Sequence, residues 1–425
     1  MDSLISGGHK SRSSSTSLWH TPQYKAWFTA DTASAAGAAM QGFAIALVSF
    51  KLSGSVVSAG WLTTLTRVLQ QFANLFGGTF IDRHGRKLLI IVNGVSEAIL
   101  WGAVFILLFR GSLTFWGFAV LVMCSSLING FLGGATDAAL RSIIELHDYP
   151  KAKSINEGRD ATINIAGSPL GGVLYGVAPW LPFLIAALLY ALAGVSATRI
   201  ASDRHQQQTS EKQLCKQSFR VDFKSGWRYV FTSRLLVVLI VVTALFNLAV
   251  NGVQYAIELF LVSEHTNTFL IGLISTSTCV GVLLGAFIAG KLSEITPVGI
   301  SIITALVLTL VACLPLMFNT SYVLVLVCTA LIGLPCPMYN AVCLGFIFAK
   351  TPNELQGRVK SAMSVSVQTL SIFSSAIAGM LLGRVGFSAA ILVFAIPLAV
   401  AIVIALMSRQ ISTIPAASHW EQTKL

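Results

Sequence analysis

Gly78-Thr79-Phe80-Ile81-Asp82-Arg83-His84-Gly85-Arg86-Lys87 is a short polar island between two long apolar runs. The runs, near residues 57–80 and 87–109, each exceed the roughly 20 residues that cross a bilayer as a helix. The island is therefore a tight hairpin between two membrane helices. Gly78 lets the helices approach closely, and Gly85 permits the left-handed backbone of a tight turn. Asp82 can pair with the basic cluster Arg83, Arg86 and Lys87, or with a neighbouring helix end. A loop that only had to carry positive charge would need the basic residues alone. This spacing of Gly, Asp, Arg, Gly, Arg and Lys asks for more.

Outward from the hairpin, apolar runs recur along the whole chain. Further spans are expected near 27–49, 114–137, 156–177, 179–200, 235–257, 269–291, 297–318, 321–346, 360–383 and 387–408. Hydrophobic residues make up 55% of the 425 and charged residues only 11%, against roughly a quarter charged in soluble domains. A soluble multidomain protein is excluded. The net charge of +11 is not a nucleic-acid footprint. With both termini cytoplasmic, every Lys and Arg except Lys51, Arg67, Arg110, Arg159 and Arg384 falls on a cytoplasmic tail, loop or span end, which is the positive-inside pattern. The polar start of the chain and its long first apolar run do not read as a cleavable signal peptide. The seven cysteines show no metal-ligand spacing.

The expected organisation is a cytoplasmic tail (1–26), an N-terminal bundle of six helices (27–200), a central cytoplasmic loop (201–234), a second bundle of six (235–408) and a cytoplasmic tail (409–425). From Phe219 to Phe231 the central loop interleaves aromatic and basic residues. That suits either an interfacial helix on the inner leaflet or a solvated linker. The halves repeat each other. A shift of 204 aligns Cys124, Leu127, Ile128, Leu140 and Ile143 with Cys328, Leu331, Ile332, Leu344 and Ile347. A shift of 207 aligns Lys153-Ser154, Thr162, Ile165, Ser168, Gly172, Leu174 and Gly176 with Lys360-Ser361, Thr369, Ile372, Ser375, Gly379, Leu381 and Gly383. Duplicated halves with a site between them are how many secondary carriers are built.

The hairpin pattern resembles the loop signature of the major facilitator superfamily, and the resemblance covers nearly the whole chain. The corresponding loop of the second half, Gly290-Lys-Leu-Ser-Glu294, keeps a glycine and an acid but lacks the basic run. Thr351-Pro-Asn-Glu-Leu-Gln-Gly-Arg-Val359 before span eleven resembles the drug:proton antiporter branch, which includes macrolide efflux pumps and the enterobactin exporter. Gly167-Ser168-Pro169-Leu170-Gly171-Gly172 in span five is similar to the antiporter motif of exporters, with its proline displaced by one residue. Physically, the proline frees a backbone carbonyl and the glycines let another helix pack closely. Ordinary glycine packing is the alternative. The resemblance also implies a gate in which Asp137, at the end of span four, pairs with Arg86 when the cytoplasmic side is closed. Pairing of Asp137 with Arg141, one helical turn on, is the local alternative.

Ionisable groups inside a membrane are costly and are functional candidates by default. Span one places Asp31, Ser34 and Gln41 on one stripe, and the family architecture puts that span at the central cavity. Asp31 is thus a candidate for protonation or for contact with a cationic substrate, or else a partner of the helix dipole. Span five begins with Asn156, Glu157, Arg159, Asp160 and Asn164. Asn156, Asp160 and Asn164 share a face, and Arg159 can neutralise one acid. Span two carries a polar stripe of Arg67, Gln70, Gln71 and Asn74. Glu97 in span three lies at a depth where it can pair with Arg67, as a structural ion pair or as a coupling site. Asn247, Asn251, Gln254, Tyr255 and Glu258 share a face of span seven and are expected to line a cavity, with Phe43 and Phe246 as further cavity aromatics.

The expectation is an all-α membrane protein of twelve transmembrane helices in two pseudo-symmetric six-helix bundles, the major facilitator fold, in the inner membrane. It is a secondary transporter, not an enzyme, and a proton-driven exporter of a drug-like molecule or secondary metabolite. Import or facilitated passage of a small, anionic metabolite is the alternative, kept open by Arg67. Asp31, Asp160, Glu97 and Glu157 are the proton-coupling candidates. The expected partners are a small-molecule substrate, protons and the lipid bilayer, with no cofactor, metal, nucleotide or nucleic acid, and the expected state is a monomer.

Overall fold

The computed structural model describes residues 19, 21–144, 149–200, 228, 231, 233–292, 296–351, 363, 366–408 and 411, without the side chains of residues 79, 82, 83, 141, 150, 291, 292, 344 and 348–350. The expected interfacial helix apart from Arg228 and Phe231, the segment 352–362 and the Lys360-Ser361 pair lie outside this description, as do Glu145 and the side chains of Asp82, Arg83 and Arg141.

Among the described residues, ten helices are long and apolar enough to cross a membrane. Val56–Arg83 and Tyr149–Val177, of 28 and 29 residues, are as long. Their apolar character is diluted by the polar stripe around Gln70 in the first and the charged start of the second. These two are spans two and five. Span one is Pro22–Ser53, span three Arg86–Phe109, and span four Phe115–Leu132 continued by Ala135–Ile143. Span six is Leu181–Thr198, span seven Arg234–Ser263 and span eight Thr268–Leu292. Val298–Cys313 with the 3-10 turn Leu314–Met317 forms span nine, and Tyr322–Gly333 with Cys336–Lys350 forms span ten. Span eleven runs from residue 366 to Arg384 with an interruption at Phe373, and span twelve is Phe387–Met407.

Local chemistry ends and restarts these helices. Pro22 opens the first turn of span one, where no amide partner is needed. Gly54 closes it in the left-handed region at φ 64° and donates its amide to the Phe50 carbonyl. Ser55 then accepts the Ser58 amide and starts span two. Thr114 and Ser321 cap spans four and ten in the same way. Such caps satisfy amides that a bilayer offers no water to bind.

The packing repeats between the halves. Within the first half, span three lies on six, one on six, two on four, and one on five. Within the second, nine lies on twelve, seven on twelve, eight on ten, and seven on eleven, so each contact has its counterpart. Small residues permit the closest of them. A Cβ on Gly94 would sit 2.8 Å from Gly194 Cα, bringing spans three and six together. On Gly281 and Gly285 it would meet the Ala330 and Leu334 carbonyls of span ten at 1.9 Å.

Two seams join the halves: span two against eleven, and span five against eight. Thr64 Oγ1 lies 2.8 Å from Ser375 Oγ, Thr268 Oγ1 donates to the Gly172 carbonyl at 2.7 Å, and Thr276 Oγ1 donates to the Ile165 carbonyl at 2.7 Å. These contacts lie in the middle and in the membrane half away from the Asp82–Lys87 hairpin. At that far end the described residues hold the halves together.

Candidate functional site

On the hairpin side of the seams, spans one, four and five enclose a cavity of about 280 Å³. Asp31 and Ala35 line it from span one, Asp137 from span four, and Lys153, Asn156, Arg159, Asp160 and Asn164 from span five. The shared face of Asn156, Asp160 and Asn164, set by the helical repeat, is the face that looks into it.

Arg159 is the centre of this site and is only 10% exposed. Its Nη2 donates to both Asp31 Oδ2 and Asp160 Oδ1. Its Nε reaches the same Asp160 oxygen at 3.1 Å, and its Nη1 reaches Thr32 Oγ1 at 3.2 Å. The Phe28 ring lies 5.2 Å from the guanidinium carbon, a cation–π contact. Arg159 therefore holds two acids rather than one. Only a planar, five-donor guanidinium can do this while keeping a ring against its face. Asp31 is largely buried, whereas Asp160 is 47% exposed. The site thus has a dry acid and a wet one bridged by one cation.

A second, more exposed group flanks it. Lys153 Nζ lies 3.5 Å from Asp137 Oδ1 and 3.8 Å from Glu157 Oε1. The hairpin glycines do not play their expected parts. Gly85 is extended at φ −61° rather than left-handed, because the chain turns at His84 and Gly85 without a positive φ. Among the described residues nothing lies within 4 Å of a would-be Cβ on Gly78. Arg86 does not pair with Asp137 in this state. Its Nη1 donates to the neighbouring Ala138 carbonyl at 3.0 Å, so it holds the backbone of span four while Lys153 takes the carboxylate. Exposed pairs of this kind contribute about 1 kcal/mol or less, which suits contacts that exchange during a transport cycle.

Glu97 does not pair with Arg67. It has no exposed surface and accepts three hydrogen bonds of 2.7 Å, from Trp101 Nε1, Ser125 Oγ and Asn129 Nδ2. Donors from spans three and four satisfy it without a cation. Arg67 and Asn74 are exposed, Gln70 and Gln71 half-buried, and none of the four makes a side-chain hydrogen bond or ion pair among the described residues. The span-one stripe also divides. Asp31 faces the cavity, but Gln41 is buried and donates to Tyr190 Oη of span six at 3.2 Å.

In span seven, Asn247 and Asn251 donate to their own helix, to the Thr243 and Asn247 carbonyls. Gln254 accepts from Thr278 of span eight. Tyr255 is half-buried against the apolar core of the second half. Phe43 and Phe246 are not cavity aromatics. Both are buried in that core, which Phe43, Leu47 and Ala59 of the first half also join, and Phe246 stacks on Tyr339 with ring centroids 4.6 Å apart.

The Gly167–Gly172 motif seats span five on two neighbours. A Cβ on Gly167 would lie 2.6 Å from Ala39 Cβ, and one on Gly171 would lie 3.0 Å from the Met40 carbonyl, both on span one. A Cβ on Gly172 would lie 2.3 Å from the Thr268 carbonyl of span eight, and Pro169 lies against Gly272 of the same span. Part of the motif therefore holds its own half together, and part forms the joint with the other half. Sequence reasoning missed Thr32, Phe28, Ser125 and Asn129 as partners of the buried charges. The spacing of Ser125 and Asn129, one turn apart on span four, was the only signal for the last two.

Comparison with known proteins bears on this architecture. The profile of the Major Facilitator Superfamily matches residues 28–269 and 255–424. "Multidrug resistance protein 2" of Bacillus subtilis (strain 168) is 24% identical over 348 residues, covering 78% of this chain and 80% of that protein. "Multidrug resistance protein MdtG" of Enterobacter lignolyticus (strain SCF1) is 25% identical over 268 residues, covering 61% of this chain and 60% of that protein. Among solved structures, a bacterial homologue of the iron transporter ferroportin in an inward-facing state superposes with a TM-score of 0.70 at 15% identity, over 93% of this chain and 100% of that one. The nucleoside transporter NupG superposes with a TM-score of 0.63 at 14% identity, over 91% and 99%. At such identities the structural likenesses speak for the fold alone. With paired six-helix halves and a family match running almost from end to end, the chain belongs to the Major Facilitator Superfamily, as a multi-pass membrane transporter and not an enzyme.

Proposed function

We propose that this transporter exports a cationic, drug-like small molecule or secondary metabolite in exchange for protons. The observation that carries the reading is the cavity in which Asp31 and Asp160 share the single guanidinium of Arg159. Two carboxylates against one cation leave one negative charge for a proton or a cationic substrate to neutralise. Protonation of a cavity acid removes a charge that favours one state over the other. The likeness to relatives named as multidrug resistance proteins supports efflux. On this reading the protein works as a monomer in the cell membrane, with both termini cytoplasmic and the cavity open inward, and it needs no nucleotide. Glu157, exposed beside Lys153, is a weaker coupling candidate than Asp31 or Asp160. Glu97, sealed among neutral donors, acts as a structural group.

The test is uphill, proton-driven efflux in inverted vesicles. Asp31→Asn and Asp160→Asn are each expected to reduce it at least about tenfold, the change that loss of one charge-assisted contact of roughly 1.5 kcal/mol produces, with membrane insertion intact. Unchanged efflux in both variants would remove the carboxylates from the mechanism. The exposed Arg67, whose charged neighbour is Glu258 of span seven, supports a second reading, inward passage of an anionic metabolite. Accumulation of substrate by intact cells, in place of its depletion, would favour that one.

A further inference from the structure

The two seams between the halves carry the same device. Pro169 has no amide hydrogen, so it leaves the carbonyl of Ile165, four residues back, without its helical donor. Thr276 of span eight supplies one, its hydroxyl donating to that carbonyl at 2.7 Å. The shift that maps the halves takes Ile165, Ser168, Pro169 and Gly172 to Ile372, Ser375, Ala376 and Gly379 in span eleven. There the helix is interrupted at Phe373, between the same two positions. Thr64 of span two enters the gap. Its hydroxyl accepts the Ala376 amide at 3.0 Å and lies 3.3 Å from the Ile372 carbonyl.

The setting is duplicated as well. Each threonine stands four residues after a glycine, Gly60 before Thr64 and Gly272 before Thr276. A Cβ on Gly60 would meet the Ser375 carbonyl at 2.4 Å, and one on Gly272 would meet the Ser168 carbonyl at 2.6 Å. The glycines bring the backbones into contact, and the threonines fill the broken turns. One break comes from a proline and the other does not, yet both are filled by a hydroxyl of the opposite half.

We propose that Thr64 and Thr276 are a matched pair of positioning residues that set the balance between the two states of the transporter. While the far end is closed, each hydroxyl satisfies a backbone group that its own helix cannot. When the halves rock apart at that end, the same groups face a widening, water-filled space and are hydrated instead. Removing a hydroxyl therefore penalises only the closed arrangement. The proposal depends on neither the direction of transport nor the substrate, so its failure is separable from failure of the export reading.

The test uses purified transporter in nanodiscs, its native cysteines replaced by alanine, with a single Val57→Cys probe at the closed end. Labelling by a membrane-impermeant maleimide, without substrate, reads how often that end opens. T276V and T64V are each expected to raise the labelling rate about fivefold, the effect of one hydrogen bond of ordinary net worth, and T276S and T64S less than about twofold. P169A restores an amide donor to the Ile165 carbonyl. On that background T276V should add less than about twofold while T64V keeps its full effect. Labelling of T276V and T64V at the wild-type rate would overturn the proposal. An equal effect of T276V with and without P169A would overturn it too, because packing alone would then explain the change. If the valine variants fail to assemble, P169A alone still carries the expectation of faster labelling, and an unchanged rate there overturns the proposal.

Discussion

Glu97 shows what a single buried group demands of its surroundings. Three donors converge on its two oxygens, and Trp101 Nε1, which can only donate, has no other acceptor among the described residues. Glu97→Ala should lower stability by about 2–4 kcal/mol, because the donors are stranded in an apolar interior. Thermal unfolding in detergent reads this directly, and an unchanged midpoint would mean that water or rearrangement replaces the carboxylate. Glu97→Gln, which keeps one acceptor oxygen, should lose less than half as much. The depth of Glu97 is legible in the sequence, since its place in an apolar run gives it. Its partners are not, because no rule of spacing says which turn of span four faces which turn of span three. The same holds for Arg159. Its ability to neutralise Asp160 follows from adjacency, but its reach to Asp31 depends on how span five lies against span one.

At the scale of the helix, close approach is set by missing side chains, and two glycines of span three offer a controlled comparison. Gly94 abuts the backbone of span six, whereas Gly102 has nothing within 4 Å of a would-be Cβ. Gly94→Val should cost about 3 kcal/mol through forced separation of the helices. Gly102→Val should stay within about 0.5 kcal/mol of the parent. Yield of folded protein and its melting temperature measure both, and equal losses would refute the packing account. The glycines and proline of span five are legible as a packing and bending signal. That Gly167 and Gly171 serve span one while Gly172 serves span eight was beyond the sequence, because one helix face does not name its neighbour. Spans two and five show the converse. Their polar residues weaken the hydropathy signal by which a span is recognised, and both spans lie at the seams between the halves.

Across the whole molecule, the far end is held shut by spans two, five, eight and eleven, and the charged cavity lies on the hairpin side. If the basic hairpin is cytoplasmic, a cysteine at Ala35, which lines the cavity, should react with an impermeant maleimide in inverted vesicles and stay protected in intact cells. The reverse pattern would invert the topology. The twelve-helix plan and its duplication were legible because apolar length and repeated glycines survive in one dimension. The exchange of threonine hydroxyls between halves was not, since Thr64 and Thr276 carry no periodic signal and gain meaning only once the seams are formed.

The cluster of Asp31, Asp160 and Arg159 also has a simple arithmetic. Two unit negative charges and one positive leave these three groups one positive charge short of balance, with Lys153 already engaged by Asp137 and Glu157. One proton restores neutrality, and so does one ammonium or other monovalent organic cation, but both together would overshoot. Joint occupancy is thus opposed by charge, before any shape is considered. If the protein exports a cation against protons, as proposed, it swaps one visitor for the other, and a neutral analogue of that cargo would leave the proton in place.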